Sequence, residues 1–112
     1  MKEDRVYLLH IYAAIEQIRD YTVGGRDEFL GDRKTQDAVV RNLEIIGEAV
    51  KQLSSALRSK HADVPWKRVA GMRDKMIHDY LGVDWQLVWE VVEKELHPLA
   101  EKVRSIISEH GA

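Results

Sequence analysis

Val39, Leu43, Ile46, Val50, Leu53 and Leu57 step along the chain by four, three, four, three and four residues. On a helix that spacing lines up one apolar stripe; on a strand, whose faces alternate every second residue, it scatters the same side chains to both sides. A near-3.5 period is the seam of a helix lying almost parallel or antiparallel to its neighbours. Asp32 or Thr35 supplies a cap for its start. The other segments repeat the message. Leu8, Ile11, Ile15 and Ile18 recur at threes and fours and run out near Thr22, before Gly24-Gly25. Pro65 suits the first turn of a third helix, where a missing N–H costs nothing, and Gly82 ends it. Asp84 caps a fourth, with Trp85, Val88, Trp89 and Val92 on one stripe. Pro98 must kink or break that helix, after which Leu99, Val103, Ile106 and Ile107 resume the pattern. These segments predict an all-α fold, an antiparallel bundle of four to five helices.

Composition agrees with a bundle that needs no staples. At 112 residues the chain is the size of a single domain, 1–112, able to bury about two-thirds of its unfolded surface. With 45% hydrophobic and 32% charged residues it reads as globular. The absence of cysteine removes disulfides, thiolate metal sites and cysteine nucleophiles. The start, Met1-Lys2-Glu3-Asp4-Arg5, lacks a signal-peptide core, and no window approaches a membrane span of about 20 apolar residues, so the expected address is cytoplasmic, away from the membrane. A net charge of −2 names no partner. Its distribution is uneven: Arg58 to Lys75 carries a net +4, whereas Asp84 to Ala112 carries −3. Such runs are commonly just solvated faces.

Two residues interrupt the apolar logic. Gly47 sits inside the second helix at a cost of about 1 kcal/mol relative to alanine, and either is tolerated or admits another helix or a ligand closely. Arg73 falls inside the stripe of the third helix: with Val69 at zero on a helical wheel, Met76 lies near −20°, Tyr80 near +20°, Arg73 near +40° and Trp66 near +60°, all at about 100° per residue. A charge placed there needs a partner, a cleft or an anion. Asp74 and His78, four apart, stack on one edge, so the carboxylate can orient the imidazole. Arg73, Asp74 and His78 together suit phosphoryl transfer on RNA. A histidine titrating near neutrality moves the proton of a 2′-hydroxyl or of a leaving oxygen, and an arginine fork holds phosphate oxygens. No metal is required, and Asp74 with His78 lacks a third ligand. Without further context such a pair is more often an ion pair and packing brace than a catalytic device, with Arg73 on an acid such as Glu48. His10, His61, His97 and His110 have no matching context and are expected on the surface. Trp66, Trp85 and Trp89 fall on apolar stripes and are expected in the core or a dimer interface.

Read as Arg73-Asp74-Lys75-Met76-Ile77-His78-Asp79-Tyr80, the segment resembles the R-x-x-x-x-H-x-Y motif of HepT-like toxins in the HEPN superfamily. Phe29-Leu30, Ala38-Val39, Ile45-Ile46-Gly47-Glu48-Ala49, Pro65-Trp66 and Asp84-Trp85 through Trp89 resemble that family in order and spacing, so the likeness spans nearly the whole chain. It implies a helical bundle pairing as a homodimer around a shared cleft, and a metal-independent endoribonuclease with no cofactor. Arg73 and His78 would be the catalytic pair and Asp74 their support. It further implies a toxin–antitoxin system in which a nucleotidyltransferase antitoxin of the MNT type transfers AMP to the motif tyrosine, here Tyr80. Tyr80 lies seven residues beyond Arg73, so AMP there would compete with substrate phosphate for the guanidinium. His78 projects about 140° from Arg73 on an ideal helix, so either the arginine reaches round the helix to share one phosphate or a two-fold partner brings its own copy opposite. The competing expectation is a non-catalytic nucleotide-binding or substrate-recruiting subunit of a nucleotidyltransferase complex. A purely structural helical adaptor is the third.

Overall fold

In a computed structural model, which describes residues 2–76 and 82–111, the apolar stripes become four long helices joined by short ones. The long helices are α1 (Lys2–Tyr21), α3 (Arg33–Gln52), α7 (Trp85–Lys94) and α8 (Leu96–Gly111). Between them lie α2 (Arg26–Gly31), α4 (Ser55–Lys60), α5 (Trp66–Ala70) and α6 (Met72–Met76). The protein is all-α, a helical bundle as the periodicities predict.

Contacts at both ends of α1 set the helix directions. Asp4, at its start, accepts hydrogen bonds from the Ser54 N–H (2.8 Å) and the Ser54 hydroxyl (2.7 Å), just beyond the end of α3. Arg5 donates to the Ile107 carbonyl near the end of α8, and Arg19, at the other end of α1, reaches Nδ1 of His97 at the start of α8. α1 is therefore antiparallel to α3 and to α8. Leu8, Ile11, Ile15 and Ile18 are fully buried, as are Val39, Leu43, Ile46 and Val50 opposite them. Each such side chain contributes about 1.5–3 kcal/mol by leaving water.

Three breaks depart from the predicted segments. The second helix does not run through Leu57: it stops at Gln52, and Leu53 turns extended (ψ 143°) before Ser54 caps α4 by accepting from the Leu57 N–H. Leu53 and Leu57 still reach the core, so the stripe continues across a corner. The third helix divides at Gly71 (φ −93°, ψ 5°) into α5 and α6, and the wheel drawn through Val69 and Arg73 as one helix does not hold across that point. The fourth breaks between Lys94 and Leu96, three residues ahead of Pro98 at the most, which leaves the proline in the first turn of α8 where no donor is missed. Asp32 is the N-cap of α3, accepting from the Lys34 N–H and the Thr35 hydroxyl, and Asp84 caps α7 through the Leu87 N–H.

The aromatic residues close the bundle. Phe29, carried on α2, is buried against Trp89 (ring centroids 5.5 Å) and meets Trp85 edge-on (6.2 Å). Trp66 is buried as well, its indole N–H donating to the His61 carbonyl. Trp66 and Trp89 are thus core residues, and Trp85 is half-buried at the edge. Among the described residues no helix is long and apolar enough to cross a membrane.

Candidate active site

The motif begins on α6. Its described residues pack on α3, α5 and α7. Gly47 is what admits the preceding turn. A Cβ at Gly47 would stand 3.2 Å from the Ala70 carbonyl oxygen, closer than ordinary packing permits, so the glycine serves close approach of α5 to α3. Ala70 leads through Gly71 into α6, and the position of the motif helix depends on that contact.

Asp74 is exposed on α6 and lines a cavity of about 150 Å³ with Glu44, Gly47, Glu48, Lys51 and Ala70. Glu48 is ion-paired with Lys51 at 3.4 Å. The structure therefore brings Asp74 beside two carboxylates of α3, a neighbourhood absent from the linear motif. Arg73 occupies the adjoining position of α6; its side chain, with His78 and Tyr80, lies outside the described residues. Among the described residues no cluster of three histidine, aspartate or glutamate side chains has the geometry to hold a metal.

Outside the motif, one histidine expected on the surface is not there. His10 and His97 are exposed, but the His61 side chain is only 13% exposed, and its buried Nε2 lies 4.0 Å from Glu109 Oε2 with no hydrogen bond. The side chain of His110 lies outside the described residues. His61 follows α4 in a turn that Trp66 and α8 cover, a burial no local pattern announces.

The family model of the HepT-like proteins, described as "Ribonuclease HepT-like", matches residues 11–106, from the middle of α1 to the last turns of α8. The chain belongs to the HepT-like ribonuclease family. Its relatives agree. A Caldanaerobacter subterraneus protein named "Putative RNase TTE0752" is 45% identical over 96% of both chains. "Probable ribonuclease HepT" of Thermococcus cleftensis is 43% identical, over 89% of this chain and 92% of its own. A Methanocaldococcus jannaschii protein named "Gamma-glutamylcyclotransferase and putative RNase MJ0434" is 45% identical over 96% of this chain, which spans about half (49%) of that longer protein. No solved structure matches. The match includes the whole of α6 and α7, so this HepT-like chain carries Arg73, Asp74, His78 and Tyr80 within the matched region.

Proposed function

We propose that this HepT-like chain is a metal-independent endoribonuclease that acts as the toxin of a toxin–antitoxin pair. The observation that carries the reading is the R-x-x-x-x-H-x-Y sequence, Arg73 to Tyr80, lying within a ribonuclease-family match that takes in residues 11–106. In the proposed reaction His78 accepts the proton of a ribose 2′-hydroxyl. The 2′-oxygen forms a bond to phosphorus as the bond to the 5′-oxygen breaks, and a protonated imidazole supplies the proton that the leaving oxygen needs. A 2′,3′-cyclic phosphate and a 5′-hydroxyl result. Arg73 holds the non-bridging oxygens, whose charge grows in the transition state. Asp74, next to Arg73 on α6, supports the pair.

Two subunits cooperate in this reading: residues five apart project about 140° from one another on an ideal helix, and a two-fold partner supplies the opposing group. Control comes from an MNT-type nucleotidyltransferase antitoxin that places AMP on the Tyr80 hydroxyl, where its phosphate competes for Arg73. The test is expression in a host cell with each substitution. Arg73→Ala and His78→Ala are expected to relieve growth arrest while leaving the thermal unfolding midpoint in place. Full toxicity in both variants overturns the assignment. Incubation of the purified chain with the antitoxin and ATP is expected to add one AMP by mass spectrometry, and Tyr80→Phe to abolish it; addition to the Phe variant places the modification elsewhere.

A further inference from the structure

The basic run between Arg58 and Lys75 does not disperse over the surface. α4, the following turn, α5 and α6 fold it around one open groove of about 1040 Å³. Arg58, Lys67, Arg68 and Lys75 line it, with Ser55 and Ser59, and no carboxylate stands among its described lining residues. Arg68 is held by Glu95 at 2.8 Å, which fixes that side of the groove to the α7–α8 junction. Arg58 Nε is buried, with no hydrogen-bond partner among the described residues.

The groove and the motif share an element. Ala70 lines both this groove and the cavity that holds Asp74, and α6 sends Lys75 to the groove and Asp74 to the cavity. The α5–α6 junction therefore has a basic side and, across Ala70, a mixed side where Glu44, Glu48 and Asp74 stand with Lys51. A polyanion is drawn to the first. We propose that this groove is the track on which the ribose–phosphate backbone of single-stranded RNA lies as it approaches α6. In-line attack by a 2′-oxygen requires a backbone free to rotate, which a base-paired A-form strand is not. The lining offers cations and hydroxyls suited to phosphate, so it positions the strand without reading bases. The inference rests on the ribonuclease reading for the choice of RNA, and on the groove alone for the site.

The full-length chain, a 2′-O-methyl oligoribonucleotide that cannot be cleaved, and fluorescence anisotropy across a salt series test it. Lys67 and Lys75 are exposed, so Lys67→Ala/Lys75→Ala is expected to fold like the parent by circular dichroism. It should weaken binding on the order of tenfold near 0.1 M salt and reduce the salt slope by about 1.4, the loss of two single-strand phosphate contacts. Lys34→Ala/Arg41→Ala removes the same charge from exposed sites on α3 that do not line the groove and should change little. Binding by the groove variant within twofold of the parent, or an equal loss in the control variant, overturns the track. Cleavage of unmodified RNA is read in parallel. A parent chain that binds through the groove yet never cleaves retires the ribonuclease reading and keeps the track. A chain that cleaves with groove-independent affinity retires the track alone, and one that neither binds nor cleaves retires both.

Discussion

Asp4 shows how much one side chain can decide. Its carboxylate is 4% exposed and accepts two short hydrogen bonds from Ser54, whose hydroxyl in turn caps α4. The corner at which the second apolar stripe leaves α3 is thus tied to the start of α1. Hydrogen bonds to a charged group are worth about 1.5–3 kcal/mol, so Asp4→Ala is expected to lower unfolding free energy by about that amount in urea titrations. An unchanged midpoint would show the corner to be held by apolar packing alone. Asp32 acts at the other end of α3. The Thr35 hydroxyl, then the Lys34 and Thr35 backbone, hold its carboxyl below the ordinary value of 3.8. A carboxyl depressed in the folded state adds stability above its unfolded pKa and loses it as pH falls through the folded one. Acidification below about pH 4 is therefore expected to destabilise the parent more than Asp32→Asn, which keeps a cap but has no proton to gain. Parallel acid-unfolding curves for the two proteins would contradict this.

Among the elements, α6 is the one whose place is borrowed. A Cβ at Gly47 would crowd the Ala70 carbonyl at the point where α5 gives way to α6. Gly47→Val would press a branched side chain against that backbone, with an expected cost of about 1–3 kcal/mol. Because Ala70 leads directly into α6, ribonuclease activity should fall by more than the folded fraction does, read by comparing cleavage with circular dichroism at one temperature. Activity that tracks folding alone would mean that α6 finds its place independently of Gly47. The Arg68–Glu95 pair, by contrast, is half exposed, and Arg68→Ala is expected to cost less than about 1 kcal/mol in stability.

For the whole molecule, the decisive question is whether one subunit or two builds each site. If Arg73 of one protomer works with His78 of its partner, a mixed dimer of Arg73→Ala and His78→Ala subunits contains one intact site and one doubly defective site. Random pairing of equal amounts then restores roughly a quarter of the parent activity from two inactive proteins. No recovery after subunit exchange, verified by differently tagged chains, would confine the chemistry to single protomers. Size-exclusion chromatography with light scattering supplies the companion measurement, since a composite site requires a dimer.

Helix identity was legible because it is a local property: period and capping residues act within a few positions, and Leu8 to Ile18, Val39 to Val50, Asp32 and Asp84 all do what their spacing implies. The motif from Arg73 to Tyr80 was equally legible, being a pattern of residue types. The corner at Leu53–Ser54 was not, since Asp4, fifty residues away, helps to hold it. Nor was the division at Gly71, the burial of His61 beneath α8, or the gathering of Arg58, Lys67 and Lys75 around one groove. Those depend on which surfaces meet once the helices pack, and sequence distance carries no record of it. Periodicity determined what each segment would become; long-range contact decided where the segments stop and which charges face one another.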